Sequence, residues 1–134
     1  MDHPTAQDLV RAPLLASLSD EIRAALALRF DIEQFAAGRN IVTEGDAGYA
    51  FYILAGGRAA VTHDSAQLRE LGPGDYFGEI AILGNDGRRT ATVTATEDTE
   101  AWVLFGTEFR VLQTSQPEVA EALVSAMQDR LAAG

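Results

Sequence analysis

Residues 51–63 read Phe51-Tyr52-Ile53-Leu54-Ala55-Gly56-Gly57-Arg58-Ala59-Ala60-Val61-Thr62-His63. Two short apolar runs, Phe51 to Leu54 and Ala59 to Thr62, flank a Gly-Gly break, the pattern of two neighbouring strands joined by a tight turn. The same texture continues outward, with Phe30-Asp31-Ile32 upstream and Thr90-Ala91-Thr92-Val93-Thr94 and Ala101-Trp102-Val103-Leu104 downstream. Further breaks fall at Gly38, Gly45, Gly48, Asp64-Ser65, Gly72-Pro73-Gly74 and Gly84 to Gly87. A break roughly every 8 to 12 residues is the spacing of a sandwich or barrel.

Both ends of the chain change period. From Thr5 to Leu28 the apolar residues Leu9, Val10, Leu14, Leu15, Leu18, Ile22, Leu26 and Leu28 recur at spacings of three and four around Pro13, which predicts two short helices. Ser19 is the capping residue of the second, with Asp20 and Glu21 in the first turn, where the helix dipole favours negative charge. After Phe105 the helical period returns. Thr107 is placed to cap a short helix, and Pro117 opens a last one with Val119, Leu123, Met127 and Leu131 along one stripe. That stripe fits a helix packed on its own barrel, and it also fits a helix that moves or pairs with a second chain. The expected class is mainly β with flanking helices (α+β). It comprises a helical segment over 1–29, an antiparallel β-roll of the jelly-roll kind over 30–106 and helices over 107–134, all in one domain.

Composition narrows the function. The chain has 134 residues, 47% of them hydrophobic and 22% charged, which suits one globular core and neither a disordered tail nor a fibrous repeat. A net charge of −10 repels phosphate backbones, so neither nucleic acid nor an anionic membrane is expected as partner of this segment. There is no cysteine, which removes disulfides and thiolate chemistry together. No apolar run is long enough to cross a bilayer and no basic secretory start precedes Pro4, so a cytoplasmic location is expected. A metal centre of the cupin kind needs several converging ligands, yet the two histidines, His3 and His63, are sixty positions apart. Both are read as solvent-exposed imidazoles, with no metal. No Gly-x-Ser-x-Gly elbow or His-centred triad can be assembled either, so no catalytic residues and no enzyme are expected.

One stretch is unusual. Residues 75–95 read Asp-Tyr-Phe-Gly-Glu-Ile-Ala-Ile-Leu-Gly-Asn-Asp-Gly-Arg-Arg-Thr-Ala-Thr-Val-Thr-Ala. Gly78-Glu79 followed by Ile80 to Leu83 can form one helical turn whose backbone N–H groups face an oxyanion, and Gly78 lets a ligand approach the backbone. Ten positions after Glu79 stands Arg89, whose rigid fork of donors fits phosphate oxygens. Glu79 would be misplaced facing an anion but well placed to accept from a sugar hydroxyl beside it. Alternatively, Glu79 and Arg89 simply pair with each other on a loop. These residue types leave both readings open.

The segment resembles the phosphate-binding cassette of the cyclic nucleotide-binding domain family, in which Phe-Gly-Glu, an apolar turn and a variable loop are followed by Arg-(Ser/Thr/Ala)-Ala. The matching residues are Phe77-Gly78-Glu79, Ile80 to Leu83 and Arg89-Thr90-Ala91, and Gly45-Asp46, the 51–54 strand, Gly56 or Gly57 and Gly72-Pro73-Gly74-Asp75 fall where the family has turns and strands. The loop is one residue longer than in protein-kinase regulatory subunits, of the length seen in the bacterial catabolite-activator type. Thr90-Ala91 sets the register, which assigns the phosphate to Arg89 and leaves Arg88 to solvent, with the exchanged assignment as the alternative.

The resemblance implies a β-roll with family-type hinge and lid helices at its C-terminal end and a purine cyclic nucleotide, cAMP or else cGMP, as ligand, with no other cofactor. It implies that Glu79 accepts the ribose 2′-OH, that Arg89 pairs with the cyclic phosphate, and that the N–H groups of Ile80, Ala81 and Ala91 complete the cradle. Val61 and Leu68 match positions that line the base. Thr90 bears on selectivity, because its hydroxyl is placed to reach the amine of a guanine held syn, although threonine also occurs in cAMP-preferring members. By the same resemblance the 117–131 helix closes over the ligand, with Leu123 and Met127 as the expected contacts to the base. The expected function is a sensor that regulates an effector C-terminal to the chain or acts through a homodimer of the last helix. The alternative is a degenerate β-roll used for dimerisation or docking without a ligand. A complete DNA-binding activator is not expected, since no helix-turn-helix follows and the charge is wrong for DNA.

Overall fold

A computed structural model describes residues 2–46, 48–83 and 89–133. Three helices lead: α1 (Ala6–Leu9), α2 (Pro13–Ala16) and α3 (Asp20–Ala27). The sequence predicts two here. Pro13 does not merely interrupt a helix but opens one of its own at the first position, where its missing N–H costs nothing. Ser19 caps α3 through the Ile22 amide at 3.2 Å, as expected. Thr5 and Asp8 close a reciprocal capping box on α1. Arg23 is buried, and its guanidinium donates to the carbonyls of Leu15 (3.2 Å), Ala16 (3.0 Å) and Leu18, so a charged side chain satisfies the exposed end of α2.

Among the described residues, eight strands follow: β1 (Asp31–Phe35), β2 (Asn40–Val42), β3 (Ala50–Gly56), β4 (Ala59–His63), β5 (Ala66–Leu71), β6 (Tyr76–Phe77), β7 (Thr92–Ala95) and β8 (Thr99–Phe105). They form two antiparallel four-stranded sheets, ordered β1-β8-β3-β6 and β2-β7-β4-β5. The one-turn helix α4 (Ile80–Leu83) lies between β6 and β7, and α5 (Gly106–Ser115) and α6 (Pro117–Ala133) complete the chain. Helix α5 starts one residue before Thr107, with Phe105 as its N-cap and no side-chain cap, so Thr107 lies inside the helix.

The sheets explain the continuous apolar runs. Along β3 and β8, Phe51, Ile53, Trp102 and Leu104 face a core shared with the helices, whereas Leu54 and Ala101 face a second core between the sheets with Phe35, Val61, Phe77 and Val93. A sheet covered on both faces has no polar face to alternate with. Strand β5 is the opposite case, exposed at every position but Leu71. The β4–β5 turn puts Asp64 (φ 50°) and Ser65 (φ 67°) in the left-handed region, the geometry of a two-residue hairpin loop.

Candidate functional site

Strand β6 ends at Phe77, and Gly78 turns the chain into α4 with φ +84°. A side chain there would meet both the Ala50 carbonyl and Nη1 of Arg89, each 2.7 Å from the Cβ position, so glycine is required by conformation and by space. The turn that follows is closed by Ala81 N–H to Gly78 O (3.1 Å), Ile82 N–H to Glu79 O (2.9 Å) and Leu83 N–H to Glu79 O (2.8 Å). The Ala81 amide expected to face a ligand is therefore engaged with Gly78 in this state.

Arg89 is held from its main chain. Its N–H donates to Asp46 O (2.7 Å) and its carbonyl accepts from Gly45 N–H (2.8 Å), which anchors it to the loop between β2 and β3. The side chain reaches inward, donating from Nη2 to Ala50 O at 2.5 Å and lying 5.9 Å above the Tyr52 ring. Tyr52 in turn stacks on Phe77 at 4.9 Å with the rings 7° from parallel. The Nε of Arg89 is buried without a hydrogen-bond partner. Burial pulls the guanidinium below its ordinary pKa, opposed by Tyr52 and Glu79. Burial likewise pushes the Tyr52 phenol up.

Arg89 and Glu79 meet at a cavity of about 180 Å³ between the sheets, also lined by Val61, Thr90, Ala91 and Arg69. The carboxylate and the guanidinium share this cavity, yet no ion pair joins them among the described residues.

Gly78, Glu79, Arg89, Thr90, Ala91 and Val61, named from the sequence, thus line one space. Ile80 and Ala81 follow Glu79 directly in the chain, at the start of α4. Leu68 is elsewhere: it is 61% exposed. The cause is a bulge, because Val61 pairs with Arg69 and Thr62 with Gln67, leaving Leu68 as the extra residue. The bulge turns Arg69 into the cavity wall in its place. The sequence offered no sign of it, since a one-residue insertion in an exposed strand leaves no mark in the hydrophobic pattern. Leu123 and Met127 are fully buried in the core shared by the helices and do not line the cavity. Helix α6 comes near it through Arg130, which borders an adjoining cleft together with Arg69, Tyr76 and Glu79. Arg88 and the rest of 84–88 lie outside the described residues, as does the choice between Arg88 and Arg89 so far as it depends on Arg88.

The family model of the cyclic nucleotide-binding domain matches residues 32–116. The chain belongs to this family. A cAMP-dependent protein kinase regulatory subunit from Eremothecium gossypii is 47% identical over 85 residues, covering 63% of this chain and 18% of that protein. The cyclic AMP receptor protein of Thermus thermophilus is 36% identical over 126 residues, covering 90% of this chain and 57% of its own length. Among solved structures, the N-terminal domain of a transcriptional regulator from Streptomyces coelicolor A3(2) superposes with a TM-score of 0.80 at 32% identity, covering 92% of this chain and 91% of that one. The chain therefore spans between about a fifth and somewhat over half of these curated relatives, one a regulatory subunit and the other a receptor protein by name. The two antiparallel sheets with flanking helices are the β-roll of this family. Among the described residues, no helix is long and apolar enough to cross a membrane.

Proposed function

We propose that the chain is a non-catalytic sensor module that binds a purine 3′,5′-cyclic monophosphate, cAMP in preference to cGMP, in the cavity between its sheets. The observation that carries this reading is Arg89. Its guanidinium is half-desolvated at the cavity, lacks a carboxylate partner among the described residues and has a buried Nε with no acceptor. A partly desolvated cation with no ion pair is stabilised when an anion arrives. Arg89 takes the phosphate, Glu79 accepts the ribose 2′-OH, and the amides of Ile80, Ala81 and Ala91 complete the cradle once the Ala81–Gly78 bond opens. Val61 packs on the base, and Thr90 stands at the rim.

Output follows from differential affinity for two states: ligand draws α4 inward, and α6 repacks over the cavity, passing the signal to an effector or to a second copy of the chain. Because Leu123 and Met127 are committed to the helical core here, this closure requires α6 to leave that packing.

Thermal melting in the presence of cAMP, cGMP and 5′-AMP tests the proposal. Ligand at a hundred times its Kd adds about 2.7 kcal/mol to the native state. The two cyclic nucleotides should raise the melting temperature and 5′-AMP should not. No shift with either cyclic nucleotide at millimolar concentration would remove the sensor reading and leave a β-roll used for docking.

A further inference from the structure

The main chain carrying Arg89 is clamped by two loops distant in sequence. The loop after β2 binds both faces of the Arg89 peptide through Gly45 and Asp46, and the Glu44 amide adds a bond to Thr92 Oγ1 at 3.0 Å. The β4–β5 hairpin supplies the second clamp. His63, the last residue of β4, places Nδ1 2.9 Å from the Thr90 carbonyl. A carbonyl only accepts, so Nδ1 carries the proton in this bond.

Two carboxylates flank the ring. Glu44 Oε2 lies 3.2 Å from Nδ1, and Asp64 Oδ2 lies 3.4 Å from Nε2. Glu44 is fixed in turn, since its Oε1 accepts from the Asp64 amide at 3.2 Å. The carboxylate of one loop thus ties the tip of the hairpin, and the histidine of the hairpin ties residue 90. This matters because the Arg89 side chain, at the cavity, makes one hydrogen bond among the described residues, to the Ala50 carbonyl.

We infer that His63 is a positioning residue for the nucleotide cavity, holding the Thr90 carbonyl so that Arg89 meets its ligand at a fixed main-chain position. The inference rests on the reading of that cavity as a cyclic nucleotide site. His63 itself does not line the cavity and does not touch the ligand. It limits how far the 89–92 segment can drift, and so reduces the order that binding must impose.

The test uses the full chain and two variants. His63→Leu removes the donor, whereas His63→Asn keeps an N–H at nearly the same place as Nδ1. The side chain is about half exposed at 52%, at a hairpin tip, so both variants should fold. Two quantities are read: amide hydrogen exchange at Gly45 and Arg89 without ligand, and affinity for cAMP. The expected result is faster exchange and roughly three- to tenfold weaker cAMP binding for His63→Leu, as for loss of one hydrogen bond, with His63→Asn close to wild type in both. Unchanged exchange in His63→Leu overturns the clasp. Faster exchange with unchanged affinity, or an Asn variant as weak as Leu, overturns the positioning role. If wild type binds neither cAMP nor cGMP, the site reading fails and the positioning role with it, while the exchange data still decide whether the clasp exists.

Discussion

Nη1 of Arg89 lies 2.7 Å from where a Cβ of Gly78 would stand, so glycine and arginine, eleven positions apart, occupy one space. The close approach lets the guanidinium reach the Ala50 carbonyl beneath the cassette turn. It also predicts the effect of one methyl group. Gly78→Ala forces a left-handed conformation costing about 1 to 2 kcal/mol and adds a clash with the Ala50 carbonyl, which is backbone and cannot step aside. Denaturant unfolding should show a loss of about 2 kcal/mol or more, accompanied by weaker nucleotide binding. A neutral substitution would mean that the turn is not held in this conformation in solution.

Glu79 can be separated from Arg89 with a modified ligand. If Glu79 accepts the 2′-OH, Glu79→Ala weakens cAMP binding but costs little further for 2′-deoxy-cAMP, and the cycle shows coupling of about 1 to 3 kcal/mol. If the carboxylate instead serves to orient the arginine, both nucleotides lose affinity alike. The missing Glu79–Arg89 ion pair favours coupling.

The N-terminal cap gives a prediction in pH. The Thr5 amide donates to the Asp8 carboxylate at 2.9 Å and, as the main cause, holds its pKa below the ordinary value. A carboxyl depressed in the folded state contributes stability that is present above its unfolded pKa of about 4 and is lost as pH falls through the folded value. Wild type should therefore be more stable than Asp8→Asn at neutral pH, by less than about 1 kcal/mol because solvent screens the pair. The difference should shrink below about pH 4. A gap that is constant with pH, in unfolding curves of the two proteins, would show that the cap does not depend on charge.

Tyr52 predicts an alkaline phase. Burial raises its phenol pKa, so the folded state holds that proton more tightly and stability is lost as pH climbs from about 10 toward the folded value. Spectrophotometric titration of wild type should show two late-ionising tyrosines, Tyr52 and Tyr76, both raised by burial, and Tyr52→Phe should remove one of them. An undiminished late amplitude in Tyr52→Phe would contradict the assignment of that phase to Tyr52.

The parts of the fold legible in the sequence were those where burial and period agree. Strands β3 and β8 show as apolar runs because helices cover one face and the second sheet the other. Strand β5, Ala-Gln-Leu-Arg-Glu-Leu, was not legible because it is exposed at every position but the last, and β6 is two residues long. The cassette was legible through its resemblance to the family pattern over Phe77-Gly78-Glu79 and Arg89-Thr90-Ala91, whereas the residue types alone left open whether Glu79 and Arg89 pair with each other. Arg69 was hidden by the bulge at Leu68, which inverts the side-chain alternation. Leu123 and Met127 show why a helix stripe does not name its partner. The same face that would meet a ligand is the one that packs on α2, α3 and α5.

Calorimetric titration of cAMP into wild type and Arg89→Ala bears most directly on the cavity as a cyclic nucleotide site. Wild type should bind one equivalent, and the variant should lose about 2 to 5 kcal/mol, thirtyfold or more in affinity, as when a desolvated charge pair is broken. Its ligand-free stability should change by less than about 1 kcal/mol, since Arg89 without ligand sets one good hydrogen bond against a desolvated charge. Absence of heat from wild type at millimolar cAMP, or equal affinity in the two proteins, would contradict it.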